Sequence, residues 1–263
     1  ELEPVTPEEL ESCPFCEGRE DKTPPEVLSL PSGGRSPDTP GWLVRVVPNK
    51  YPAFEHHEVV IHSPEHKRSL AELDGSQLEL IAEAWQLRAG AARDAGYPHV
   101  FAWVNEGRTA GASLGHSHSQ LVWLTEEPPL AAAERAAGGC SVCDYIRSER
   151  ESGERVVDER NGLILLCPYA GRAPYECLVA PLDHEADPFT SDRLGVGLEH
   201  AAQALRRIHA LEGPRPANLW LHESGHWHLE FLPRLTVFAS VELGAGIYVN
   251  TLAPEAAARA LRD

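Results

Sequence analysis

One plan runs through this chain twice, and that repeat limits what the chain can fold into. Cys13-Pro14-Phe15-Cys16 opens the first pass and Cys140-Ser141-Val142-Cys143 opens the second. Each Cys-x-x-Cys is followed by short apolar runs, a proline-bearing turn ending in histidine, a long helical pattern, one more apolar run and a His-x-His. Fifty positions separate Cys16 from His66, and fifty more separate His66 from His116. The second pass has 41 from Cys143 to His184 and 42 from His184 to His226. Self-similarity at matching intervals marks a duplicated structural unit.

Within the first pass, Trp42–Val47 and Glu58–His62 read as strands separated by Pro48-Asn49-Lys50-Tyr51-Pro52, whose prolines end ladder pairing. Residues 76–95 place Leu78, Ile81 and Trp85 at helical spacing, and Val100–Val104 is a further strand. In the second pass, residues 163–169, 175–180 and 218–222 read as strands. Residues 191–212 form a helix with Leu194, Leu198, Ala201, Leu205 and Ile208 on one face. Residues 1–12 read as an acidic arm, 19–41 as Pro- and Gly-rich loop, and 125–139 as a connection. The expected class is α+β: two tandem modules, 1–128 and 138–263, each an antiparallel sheet with a packed helix.

Charge narrows the partners. The 263 residues carry a net charge of -17 without a Lys/Arg-rich run, which argues against nucleic acid or an anionic membrane surface as main partner. No stretch approaches the ~20 apolar residues of a membrane span, and the acidic N-terminal stretch does not read as a signal peptide. A soluble, cytoplasmic protein is expected. In that setting two Cys-x-x-Cys pairs point to metal or redox chemistry more than to a disulfide framework.

Zinc favours four thiolate or imidazole ligands, often with a Cys-x-x-Cys supplying two. The repeat offers Cys13, Cys16, His66 and His116 as one set and Cys140, Cys143, His184 and His226 as the other. A lone Cys-x-x-Cys fits a reduced dithiol equally well; its recurrence with histidines at equivalent intervals favours metal. His56, His57 and His62 compete with His66 by proximity. Neither set keeps an open position, so both are expected to be structural.

The densest chemistry lies in residues 105–120, Asn-Glu-Gly-Arg-Thr-Ala-Gly-Ala-Ser-Leu-Gly-His-Ser-His-Ser-Gln, followed at once by Leu121-Val122-Trp123-Leu124. On a strand His116, His118 and Gln120 share one face. Two imidazoles and an amide on a common buried face require hydrogen bonds or a metal. With His116 tied to zinc, His118 becomes the natural nucleophile, one nitrogen oriented by a hydrogen bond and the other free to attack. Gln120 can donate to a phosphoryl oxygen, while Ser113 and backbone N–H groups near Gly111 and Gly115 can cradle it. Two rival motifs fit poorly. Gly111-Ala-Ser-Leu-Gly115 matches G-x-S-x-G but leads into a strand, not a helix. The glycines lack the Gly-Lys-Ser/Thr end of a P-loop.

At these residues the chain resembles the galactose-1-phosphate uridylyltransferase branch of the histidine-triad superfamily, whose signature is His-x-His-x-Gln. Cys13/Cys16, Ser63-Pro64-Glu65-His66, Asn105-Glu106-Gly107, Gly111-Ala112-Ser113 and His116 to Gln120 carry the resemblance in order, followed by a degenerate second half. It implies two histidine-triad-like modules and attack by His118 on the α-phosphorus of a nucleotide sugar to form a nucleotidyl-histidine. A sugar 1-phosphate leaves, and a second phosphate-bearing acceptor takes the nucleotide. Asn105, Ser113 and Gln120 would contact the phosphoryl group, and Asn49 would lie against the nucleoside. His228 and Glu230 would be the inactive counterparts of His118 and Gln120. UMP transfer between UDP-glucose and galactose 1-phosphate is the expected reaction, with a homodimer as the implied assembly. The tail 241–250 has no Lys, one of the residues that hold hexose phosphate in the best-known uridylyltransferases. That tail and the serines of His-Ser-His-Ser-Gln are also similar to ADP-glucose phosphorylase, which moves adenylyl to phosphate. A non-enzymatic, zinc-stabilised nucleotide-binding module is the remaining alternative.

Overall fold

Ten strands lie side by side in the computed structural model, which describes residues 2–136, 139–223 and 225–262. The module bounds expected at residues 1, 138 and 263 lie outside the described residues. The strands are β1 (Leu28–Leu30), β2 (Val44–Pro48), β3 (His57–Ile61), β4 (His99–Glu106), β5 (His118–Leu124), β6 (Val156–Arg160), β7 (Leu163–Leu166), β8 (Cys177–Pro181), β9 (Ala217–His222) and β10 (His228–Pro233). Their order is β1-β2-β3-β5-β4-β9-β10-β8-β7-β6, antiparallel at every pairing. The α+β class and the antiparallel strands with packed helices stand.

One feature corrects the expectation of a separate sheet in each half. β4 pairs with β9, Trp103 opposite Trp220 and Asn105 opposite Asn218, so the two five-stranded halves merge into one sheet. An unpaired β4 or β9 would expose a row of backbone donors and acceptors, and each half relieves the other of that edge.

The helices are α1 (Pro7–Ser12), α2 (Gly75–Asp94), α3 (Pro129–Ala136), α4 (Ser141–Ser152), α5 (Leu194–Glu212), α6 (Ser240–Ala245) and α7 (Pro254–Arg262), and α2 and α5 cover the same sheet face. Asp74 caps α2, its carboxylate accepting the Gln77 N–H at 2.9 Å. From α2, Leu78, Ile81, Trp85 and Ala89 are fully buried; from α5, Leu194, Leu198, Ala204 and Ile208 are. These meet Val100, Ala102 and Val104 of β4 and Leu121 of β5 in one core cluster. Alternation on the strands therefore turns Phe101, Trp103 and Asn105, with His118 and Gln120, to the opposite face.

That second face is partly roofed by the stretch read from sequence as plain loop. β1 lies within it and pairs with β2. Arg45 of β2, 1% exposed, reaches Glu26 at 2.9 Å, Asp38 at 2.6 Å and the Thr23 hydroxyl at 2.7 Å, which ties the roof to the sheet. Other segments are also more ordered than their composition suggests. The connection at 125–139 contains α3 (Pro129–Ala136), and Cys140 caps α4 (Ser141–Ser152). β6 extends the sheet, and α7 (Pro254–Arg262) closes the chain over it, burying Ala257, Ala258 and Leu261.

Candidate active site and metal centres

The catalytic candidates sit at the start of β5. His118 Nδ1 lies 2.7 Å from the His116 carbonyl oxygen, to which it donates. That bond selects the tautomer with an unprotonated Nε2. Burial pushes the His118 imidazole below its ordinary value, so the neutral form prevails. Phe15 sits edge-on to the ring at 5.4 Å and limits its rotation.

His118, Gln120, Ser113 and Asn49 line one cavity of about 530 Å³, walled by Phe15, Val47, Pro48 and Val59 and bordered by Lys22 and Lys50. The other expected residues lie elsewhere. Asn105 opens into an adjoining apolar cavity of about 380 Å³ with Phe101, Trp103 and Trp220, and its Oδ1 accepts from Asn218 Nδ2 at 2.7 Å. Gly115 borders a third cavity beside Arg68 and Arg108. Gly111 closes the preceding turn at φ +92°, where a Cβ would meet Asn105 Nδ2 at 3.4 Å. Glycine there supplies the left-handed backbone that brings Ser113 round to the cavity.

The two Cys/His sets also assemble, one in each half of the chain. Cys13, Cys16, His66 and His116 place one donor atom each within 4.8 Å of the others, as do Cys140, Cys143, His184 and His226. Tetrahedral zinc, with Zn–S of about 2.3 Å and Zn–N of about 2.0 Å, sets neighbouring donors about 3.5 Å apart. The first set shows 3.5 Å from Cys13 Sγ to His116 Nδ1, and 3.4 and 3.7 Å from Cys16 Sγ to His66 and His116 Nδ1. The second shows 3.5 Å for Cys140 to His226, and 3.4 and 3.1 Å for Cys143 to His184 and His226. His116 Nε2 donates to the Ser63 carbonyl at 2.9 Å and His226 Nε2 to the Pro181 carbonyl at 3.0 Å, which leaves each Nδ1 lone pair for a cation. Burial and the neighbouring Cys13 push the Cys16 thiol up to about 12; burial and Cys140 push Cys143 up to about 11. A bound cation would offset this and stabilise the thiolates, and the donor spacing fits a metal.

The competing histidines have other partners. His56 stacks on Trp123 with ring centroids 4.7 Å apart, and His62 Nδ1 meets the Ser117 hydroxyl at 2.9 Å. His57 meets Gln120.

The structure also gathers a group that sequence reasoning missed in part. Glu134, His222, His228 and Glu230 bring their donor atoms within 4.8 Å of one another in the second half. His228 and Glu230 were expected as counterparts of the catalytic pair; Glu134 and His222 were not singled out. His222 shares the alternation of Asn218 and Trp220 and could have been found by it. Glu134 lies in an Ala-rich stretch with no comparable signal. Burial raises the Glu230 pKa, but the His228 hydrogen bond and the Arg172 guanidinium overcome that and hold it at about 2.

Known proteins resemble this chain in sequence and fold. A family profile for the N-terminal domain of galactose-1-phosphate uridyl transferase matches residues 52–129. An ADP-glucose phosphorylase from Arabidopsis thaliana is 29% identical, the match covering 96% of this chain and 82% of the relative. A galactose-1-phosphate uridylyltransferase from Thermotoga maritima is 26% identical over 99% of this chain and 91% of its own. The crystal structure of an A. thaliana ADP-glucose phosphorylase with bound ADP-glucose superposes with a TM-score of 0.84 at 28% identity, covering 99% of this chain and 92% of that one.

Proposed function

We propose, from the premise that the chain belongs to the galactose-1-phosphate uridylyltransferase-like family of nucleotidyltransferases, that it transfers a nucleotidyl group through a covalent bond to His118. The observation that carries this reading is the 2.7 Å bond from His118 Nδ1 to the His116 carbonyl, which leaves Nε2 as a neutral nucleophile beside Gln120.

In the first half-reaction Nε2 attacks the α-phosphorus of a nucleoside diphosphate sugar. A P–N bond forms, the P–O bond to the sugar phosphate breaks, and the departing sugar 1-phosphate takes the electron pair. In the second, an acceptor phosphate oxygen attacks the same phosphorus and Nε2 recovers its pair. Gln120 and Ser113 are assigned to the phosphoryl oxygens, where fixed donors act most strongly as charge develops. Asn49 is assigned to the nucleoside, and Lys22 and Lys50 supply positive charge at the rim of the cavity.

We assign ADP-glucose as donor and inorganic phosphate as acceptor. Support comes from the identity to the ADP-glucose phosphorylase, 29% against 26% for the Thermotoga uridylyltransferase, and from the tail 241–250, which has no Lys. UMP transfer between UDP-glucose and galactose 1-phosphate is the second reading, favoured by the family profile and the Thermotoga relative. Both Cys/His sets are assigned to structural zinc. When bound, zinc stabilises the thiolates; His116, as its ligand, then fixes the backbone on which His118 stands.

Incubation with [α-³²P]ADP-glucose or [α-³²P]UDP-glucose without acceptor distinguishes the readings. Label on the wild type and none on His118→Ala is expected, with the stronger donor naming the base. Equal labelling of both proteins sinks the proposal.

A further inference from the structure

An amide side chain has two ends of nearly one shape and opposite hydrogen-bonding sense: NH₂ donates and C=O accepts. For Gln120 to steady a phosphoryl oxygen its NH₂ must face the phosphate. Strand alternation places Gln120 on the right face but does not choose between its ends. His57 does. It begins β3 opposite Val122, with Val59 opposite Gln120, so it is the diagonal cross-strand neighbour of Gln120. The residue is 8% exposed, its ring between Phe54 and Trp103.

The tautomer follows from a backbone donor that cannot reverse. The Ala53 N–H points at His57 Nδ1 at 3.2 Å, so Nδ1 carries the lone pair and the ring proton of neutral His57 is on Nε2. His57 Nε2 lies 2.8 Å from Gln120 Oε1 and donates to it. Gln120 Oε1 is thereby engaged, and its NH₂ is the end left for the cavity. Asn49 Nδ2 also lies 3.2 Å from His57 Nε2, a donor beside a donor. Its Oδ1 already accepts the Tyr51 N–H at 2.9 Å, so the Asn49 NH₂ also keeps its hydrogens for a ligand.

The second half shows the opposite setting at the same place. Glu230 stands where Gln120 does, and the Arg172 guanidinium grips its carboxylate. A carboxylate offers a phosphate no donor, whatever holds it.

We propose that His57 is a positioning residue that sets the polarity of the Gln120 amide, an inference that rests on the nucleotidyl-transfer reading. His57 touches no reacting atom. Removing it frees the amide to present its oxygen to the phosphoryl group, which opposes the developing charge.

The test is single-turnover adduct formation with [α-³²P]ADP-glucose, and with [α-³²P]UDP-glucose in parallel. Loss of one oxyanion donor lowers rates by about 10²–10³-fold, so a freely rotating Gln120 in His57→Leu is expected to lower the adduct rate by at least about tenfold with little change in KM. His57→Gln, which restores an N–H near the Nε2 position, recovers part of that rate. In a Gln120→Ala background His57→Leu causes no further loss. Ring ¹⁵N shifts of wild-type His57 show the Nε2–H tautomer at neutral pH, a readout that needs no variant to fold. An Nδ1–H tautomer, an unchanged rate in folded His57→Leu, or an additional loss in the Gln120→Ala background overturns the proposal. Wild-type protein that forms no adduct with either donor overturns the nucleotidyl reading itself.

Discussion

Exchanging Glu106 for glutamine probes the joint between the end of β4 and the loop that follows the metal-ligand candidate His66. Glu106 is 3% exposed; its carboxylate accepts the Ser69 hydroxyl at 2.7 Å and the Leu70 N–H at 2.6 Å. Burial outweighs these bonds and pushes its pKa from 4.5 up to about 7. A carboxyl raised on folding holds its proton more tightly in the native state. Its contribution is therefore fullest below the unfolded value of 4.5 and is lost as pH rises through about 7. One pKa unit corresponds to about 1.4 kcal/mol, so the whole effect is about 3 kcal/mol, of which about 2 falls between roughly pH 5.5 and pH 8.5. Glutamine fits the same pocket uncharged, with Oε1 accepting from Leu70 and NH₂ donating to Ser69. Urea titrations of both proteins at several pH values should show Glu106→Gln gaining about 2 kcal/mol on the wild type across that window. Taking the difference at each pH cancels the titration of groups that both proteins share. A difference that stays flat with pH refutes the reasoning.

Trp85→Phe removes the 2.8 Å bond from the Trp85 indole to the Ser119 hydroxyl, both fully buried, and should cost about 1–3 kcal/mol in chemical denaturation; an unchanged midpoint contradicts this. Arg45→Met leaves Asp38 without its guanidinium while Glu26 keeps Arg35, and should cost about 1–3 kcal/mol, with Arg45→Met/Asp38→Asn recovering part of it. If the double variant is no more stable than the single one, the unpaired Asp38 charge is not the cause. Purified protein should hold about two zinc ions per chain by elemental analysis, and chelation should lower the melting temperature. Metal content near zero removes the basis for both centres.

How much of this was legible in the sequence depended on how local each signal is. The shared face of His118 and Gln120 follows from strand periodicity within three residues. The Cys/His sets followed from a repeat that sequence displays directly. The join of β4 to β9 depends on two edges more than a hundred residues apart, and no local pattern states which strands will meet. β1 is only three residues in a Pro- and Gly-rich stretch, and it exists because β2 offers it a partner. His57 was visible only as one of several histidines near His66. Its link to Gln120 needs the register that sets Val59 opposite Gln120. Asn105 was placed at the phosphoryl group by resemblance and Gly115 by its position in the glycine-bearing run; in the fold Asn105 opens from β4 into an adjoining cavity and Gly115 borders a third.

The central claim is that one side chain carries the nucleotide. Incubating the protein with ADP-glucose and with UDP-glucose, without acceptor, and mapping the product by peptide mass spectrometry tests it most directly. The account requires one nucleotidyl group per chain, on the peptide containing His118, released when phosphate or a sugar 1-phosphate is added, with His228 unmodified. No adduct with either donor, or an adduct on any other residue, contradicts it.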